Sequence, residues 1–199
     1  MNEFWDNRYS AEEFVYGTEP NEFFKSEIDK LPPGKLLALA EGEGRNGIYA
    51  AGKGWEVDAV DFSNTAKEKA LRLALDKNVK INYTVSDLAD FLPPPAQYDA
   101  VSIIFMHLNP SLSKTVHKRA AESLKKGGKI ILEVYHKEQL GKNSGGPQNL
   151  DMLYSIDEIN KNFRGIKTEI LTKEIVHLKE SIYHSGEAVV IRFVGVKSR

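Results

Sequence analysis

Lys35-Leu36-Leu37-Ala38-Leu39-Ala40-Glu41-Gly42-Glu43-Gly44-Arg45-Asn46-Gly47 is the stretch on which the fold turns. Its first six residues form an apolar run of strand length, and Gly44 to Ala51 reads as the helix which that strand feeds. Gly42, Gly44 and Gly47 stand at G-x-G-x-x-G spacing at the junction, with the acid Asp61 about 20 residues further on. Gly42 and Gly44 allow a tight turn and a close approach to a ligand, and Asp61 is placed to accept both hydroxyls of a ribose. By itself the pattern indicates a nucleotide and no more.

Working outward, short apolar runs alternate with amphipathic stretches, the rhythm of parallel βαβ units. Trp55 to Val60 is the second strand, with Asp61 at its C-terminal end. Ser63 caps a helix in which Ala66, Ala70, Leu73 and Ala74 recur at helical spacing, and Val79 to Val85 makes a third strand before Asp87. Pro93-Pro94-Pro95 forbids regular structure. Tyr98 to Phe105 is a fourth strand, Ser111 to Lys126 a helix closed by Gly127-Gly128, and Lys129 to Tyr135 a fifth strand. Gly141 to Asn149, rich in Gly, Ser and Asn, reads as a mobile loop, and Ser155 starts a short helix. Thr168 to Leu178 and Glu187 to Val196, with a turn around His184-Ser185-Gly186, read as an antiparallel hairpin at one edge. The expected fold is α/β, a Rossmann-like three-layer sandwich with a mostly parallel sheet.

A chain of 199 residues, 41% hydrophobic, buries one sizeable core, so a single domain over 1–199 is expected. Lys and Arg number 27 against 28 Asp and Glu, which leaves no net field to draw the chain onto nucleic acid or an anionic membrane. The absence of cysteine removes disulfide frameworks, thiolate metal sites and cysteine nucleophiles. The start, Met1-Asn2-Glu3-Phe4-Trp5-Asp6, has neither a basic nor an apolar leader region, and no apolar run reaches the roughly 20 residues of a membrane span. A cytoplasmic protein with a small-molecule partner fits these features.

The charge of the glycine turn selects among nucleotides. A dinucleotide lays its pyrophosphate on the amides of the helix N-terminus, and Glu41 and Glu43, flanking Gly42, would repel it. S-adenosylmethionine carries a sulfonium, an ammonium and a ribose but no phosphate, so an acidic turn complements it. Ligands of open α/β sheets lie outside the carboxyl ends of the strands. Those ends carry Glu41 to Asn46, Asp61 to Ser63, Asp87-Leu88, Met106-His107 and His136.

These residues resemble the class I methyltransferases, and within them the thiopurine and tellurite-resistance methyltransferase group. The resemblance covers nearly the whole chain. It is carried by Trp5-Asp6-Asn7-Arg8-Tyr9, Tyr16-Gly17-Thr18-Glu19-Pro20-Asn21, the glycine turn, Asp61, Asp87-Leu88, Met106-His107-Leu108, Lys126-Gly127-Gly128, Gly145-Gly146-Pro147 with Asp151-Met152-Leu153-Tyr154, and His184-Ser185-Gly186. It implies a seven-stranded sheet whose last strand is antiparallel, S-adenosylmethionine as cofactor, and no metal. Carried over by position, it implies that Glu41, Gly42, Glu43, Gly44, Arg45 and Asn46 line the methionine part, that Asp61 with Ser63 receives the ribose, and that Asp87 meets the adenine amine. Phe62 and Leu88 would sandwich the ring, and Phe105 would border the site. Residues 1–30, with Trp5, Arg8 and Tyr16 beside Tyr9 and Phe14, would fold over the cofactor as a lid on the core, 31–199. One departure stands out, since Ala38 occupies a place where the family usually has an acid.

Methyl transfer is an in-line displacement helped mainly by alignment and exclusion of water. A base is needed only where the acceptor carries a proton when it attacks. His184, matched to the family, and then His107 are the candidates, with His136 a third; the 141–147 loop would act as a second gate. The acceptor is a small molecule, and the resemblance suggests a soft nucleophile such as a thiol or a selenium or tellurium oxyanion. Two other functions fit the same turn: a non-catalytic S-adenosylmethionine or adenosine-binding module, and an NAD-dependent oxidoreductase, for which no separate catalytic domain remains.

Overall fold

The computed structural model describes residues 2–181 and 183–198, with side chains from Trp5 onward. Two short helices, α1 (Asn2–Tyr9) and α2 (Glu22–Ile28), precede the strand β1 (Lys35–Leu39). There follow α3 (Arg45–Gly52), β2 (Glu56–Asp61), α4 (Asn64–Asp76), β3 (Asn82–Val85), β4 (Tyr98–Ile104), α5 (Pro110–Ser123), β5 (Leu124–Tyr135), α6 (Ile156–Asn162), β6 (Ile166–Ser181) and β7 (His184–Lys197). The strands make one seven-stranded sheet in the order β3-β2-β1-β4-β5-β7-β6. β1 to β5 are parallel, whereas β7 runs antiparallel to β5 on one side and to β6 on the other.

The strand period of two divides the apolar residues between two faces. Leu37, Leu39, Val101, Ile103, Ile130 and Leu132 pack with Val116 and Ala120 of α5 and Ile159 of α6. Leu36, Val57, Ala100 and Ile131 point the other way, onto Phe23, Phe24 and Ile28 of α2 and Ala50 of α3. Three layers result, and the central strands are buried on both faces, which is why they read as unbroken apolar runs. Helix starts follow local chemistry: Ser63 Oγ accepts the Ala66 amide at 3.1 Å, Asn109 caps α5 ahead of Pro110, and Ser155 and Glu158 form a capping box on α6.

Three boundaries differ from the sequence reading. Gly127-Gly128 does not close α5. The helix ends at Ser123, Leu124 turns into extended backbone with its side chain fully buried, and the glycines lie inside a bulged first stretch of β5. The hairpin turn is not at His184–Gly186 either, because those residues already belong to β7 and pair with Ser181, Lys179 and Leu178. Gly186 absorbs the twist inside the strand with φ +104°. β3 starts only at Asn82, because the Val79 amide is taken by the Ala74 carbonyl at the end of α4. Among the described residues no helix is long and apolar enough to cross a membrane.

Candidate active site

The C-terminal ends of β1, β2 and β4 meet at the centre of the sheet, where the strand order reverses direction. Two of these ends carry non-glycine residues in the left-handed region, Ala40 and Phe105, each at φ +51°. Backbone strain of this kind costs on the order of 1–3 kcal/mol and gathers where a site must be shaped.

The glycine turn is clamped from every side. Asp61 Oδ2 accepts the Gly42 amide at 3.0 Å and its Oδ1 accepts the Ser63 amide at 3.0 Å, so one carboxylate joins the turn to the start of α4. Tyr83 donates its hydroxyl to the Gly42 carbonyl at 2.6 Å. A β-carbon on Gly42, which has φ +59°, would sit 2.8 Å from the Tyr9 hydroxyl. One on Gly44, at φ +90°, would sit 2.8 Å from both Ala70 Cβ and Ile48 Cδ1. Gly44→Ala therefore combines a disfavoured conformation with overpacking, and its urea midpoint is expected to report a loss of about 1–3 kcal/mol.

Both glutamates of the turn face inward. Glu41, 8% exposed, accepts the Gly47 amide at 2.6 Å, and burial pushes its carboxyl up to about 7 against the pull of that hydrogen bond and of Arg45. Glu43 makes a short ion pair with Lys69 of α4, and its other oxygen receives the Tyr16 amide at 3.3 Å. Lys69 also donates to the carbonyls of Tyr9, Ala11 and Glu13. The acidity that the sequence places at the turn is thus largely compensated inside the protein.

Beyond the turn lies a buried polar network. Arg45 Nη2 meets Glu180 Oε2 at 2.9 Å, and Asn46 Oδ1 accepts the Asn21 amide at 2.9 Å. The Asn21 side chain donates to Glu133 at 2.7 Å and to Glu180 at 2.9 Å while capping α2. Arg192 closes the chain by pairing with Glu133 and Glu174. His184 Nδ1 stands 3.1 Å from Glu180 Oε2, with its ring among Tyr16, Phe105 and Tyr135.

The remaining expected site residues divide. Trp5 stacks on Tyr9 with ring centroids 5.6 Å apart, Arg8 lies 4.2 Å from the centre of the Tyr183 ring, and Asp6 accepts a short hydrogen bond from Ser63, so α1 sits across the ends of β1 and β2. Phe62 is half-buried at that rim. Asp87 is exposed, with Oδ1 accepting the Ala89 amide at 2.8 Å. Leu88 instead packs into the core with Leu39 and Val116. His107 has both ring nitrogens on backbone groups: Nδ1 is 2.8 Å from the Met152 carbonyl, Nε2 faces the Tyr135 amide at 3.4 Å, and burial lowers its proton affinity to about pH 4. His136 caps a short 3-10 turn through Nδ1. The segment from Gly141 to Asn149 is tied down at Ser144, whose hydroxyl donates to the Glu187 carbonyl at 2.6 Å and accepts from Gln139 at 2.9 Å.

Lys69, Tyr83, Glu133 and Glu180 were not foreseen. Two had visible signals: a lysine on the apolar stripe of α4, and an acid inside the apolar run of β5.

Residues 36–128, which span β1 to the bulge of β5, match a family described as a methyltransferase domain. No curated protein matches by sequence. Among solved structures, one concerning conversion of a disulfide bond into a thioacetal group during echinomycin biosynthesis aligns at a TM-score of 0.79 and 15% identity, over 100% of this chain and 92% of that one. TehB from Haemophilus influenzae aligns at 0.73 and 15%, over 99% and 67%. Phosphoethanolamine N-methyltransferase 2 from Haemonchus contortus, in complex with phosphomonomethylethanolamine and S-adenosylhomocysteine, aligns at 0.68 and 17%, over 98% and 57%. At these identities the likeness establishes the fold, a Rossmann-like α/β sheet of seven strands.

Proposed function

We propose that the chain is a cytoplasmic S-adenosylmethionine-dependent methyltransferase acting on a small soft nucleophile. The observation that carries the choice of cofactor is the Glu41 carboxylate on the Gly47 amide. In a dinucleotide site the helix N-terminal amides are open to a pyrophosphate; here the Glu41 carboxyl occupies the Gly47 amide, which closes it to a phosphate. Asp61 retains carboxylate lone pairs beyond its two amide bonds, which suits a pair of ribose hydroxyls. Exposed Asp87 and half-buried Phe62 flank the same rim, as adenine contacts require. S-adenosylmethionine supplies an electrophilic methyl group on a sulfonium. Trp5, Tyr9 and Tyr16 cover the turn and exclude water. A sulfur acceptor is supported by the family resemblance and by the disulfide chemistry in which the first-named structural neighbour takes part.

Calorimetric titration tests the assignment. S-adenosylhomocysteine is expected to bind, and Asp61→Ala to weaken that binding at least tenfold, since loss of a charged hydrogen-bond acceptor is worth about 1.5–3 kcal/mol. Binding of NAD in its place would overturn the proposal. The internal compensation of Glu43 by Lys69 and the alanine at position 38 favour one second reading, a module that holds the cofactor without turnover. Scintillation counting of methyl transfer to thiols, selenite, tellurite and small amines decides between them.

A further inference from the structure

We infer that Glu180 is a positioning residue that holds His184 as the Nδ1–H tautomer, leaving Nε2 to take the proton of a methyl acceptor that arrives still carrying one. The inference rests on the methyltransferase reading for its purpose, but its geometry stands on this chain alone. Glu180 Oε2 is 3.1 Å from His184 Nδ1. Burial alone would raise this carboxyl, but the hydrogen bond to His184 and the Arg45 guanidinium prevail and hold it down to about 2. An ionised carboxylate has no proton to donate, so Nδ1 must carry it. The carboxylate is also fixed in place: Arg45 reaches Oε2 at 2.9 Å and Asn21 reaches Oε1 at 2.9 Å.

The ring is held as firmly as its partner. Its centroid lies 4.7 Å from that of Tyr16 and 4.6 Å from that of Phe105, the latter edge-on. Gly145 borders its free edge, where a β-carbon would stand 2.9 Å from His184 Cδ2. Among the described residues the ring's hydrogen bond is the one at Nδ1. His107 differs in that both its ring nitrogens face backbone groups.

The titratable and charged groups facing His184 are Glu180 on β6, Arg45 on α3, Arg8 on α1, Tyr16, Tyr135 on β5 and His107. Burial lowers the proton affinity of His184 and the arginines add to that, while Glu180 opposes them; the net lowering leaves the ring neutral near pH 7. As the acceptor's lone pair bonds to the methyl carbon, the carbon–sulfur pair returns to sulfur. The acceptor's proton passes to Nε2, and Glu180 stabilises the imidazolium until solvent removes the proton.

The test is long-range 1H–15N spectroscopy of imidazole-labelled protein, with His184 assigned through His184→Gln and S-adenosylhomocysteine present or absent. Neutral His184 is expected with Nδ1 protonated and Nε2 bare. In Glu180→Gln its titration midpoint is expected to fall by about one pH unit or more, a tenfold weaker hold on the proton, while Glu180→Asp keeps the wild-type midpoint. An Nε2–H tautomer in the wild-type protein, or an unchanged midpoint in Glu180→Gln, overturns the inference. Should Glu180→Gln fail to fold, the wild-type tautomer decides alone. Failure of wild-type protein to bind S-adenosylhomocysteine refutes the proposed function separately, since the tautomer is measured without it.

Discussion

Lys69→Ala is expected to destabilise the protein by about 3–5 kcal/mol and to lower Tm by roughly 10 °C. Lys69 and Glu43 are buried together, with side chains 7% and 2% exposed, so removing the ammonium strands a carboxylate away from water. The same substitution releases the carbonyls of Tyr9, Ala11 and Glu13, which lie 3.4, 2.9 and 2.6 Å from Nζ. The segment between α1 and α2 should therefore become the first site of limited proteolysis. Lys69→Met combined with Glu43→Gln removes both charges and is expected to recover most of the loss. A urea midpoint for Lys69→Ala within about 1 kcal/mol of wild type would mean that water screens the pair after all.

His117→Phe is expected to make the protein more resistant to acid, by about 3 kcal/mol relative to wild type at pH 4. The His117 ring is wholly buried on α5, stacked on Phe163 at 4.8 Å, with Nε2 lacking a hydrogen-bond partner among the described residues. Burial lowers its proton affinity to about pH 3. Below the ordinary histidine value near 6.5 the unfolded chain binds a proton that the native state refuses. The neutral ring's contribution is thus complete above that pH and fades toward pH 3, at up to about 1.4 kcal/mol per pH unit. His107 acts in the same sense down to about pH 4. Glu41, raised to about 7, acts oppositely, because the native state takes up its proton first. These contributions partly cancel in the wild-type curve, so the informative measurement is the difference between wild-type and variant urea midpoints from pH 7 to pH 4. Parallel curves would refute a neutral buried ring.

What could be read from sequence was whatever the chain specifies locally. β1 and β4 are buried on both faces and show it as unbroken apolar runs, and the stripe Ala66, Ala70, Leu73 and Ala74 does face inward. The glycine turn was legible because only glycine suits φ +59° and +90° at that density. Contacts between distant segments were not. Lys69 finds its partners on residues 9–13 and 43, and Glu180 finds its own on residues 21, 45 and 184. The orientation of Glu41 was equally hidden, since the same spacing serves a carboxylate turned toward a ligand or toward its own helix. Glycine also misled twice. At Gly127-Gly128 and Gly186 it marks bends inside strands, where burial of Leu124 and the continuing hairpin register outweigh its preference for ends.

The placement of β7 bears on how the molecule assembles. Though last in chain order, it lies inside the sheet, between β5 and β6, and so it joins two edges rather than adding one. Its pairing with β6 joins residues close in sequence and can zip within microseconds. The pairing of Leu37 with Val101 must await closure of a long intervening loop. A nascent β6–β7 ribbon therefore has a ready-made flank to offer, and docking that flank onto Lys129–Tyr135 shields backbone that would otherwise invite pairing with other chains.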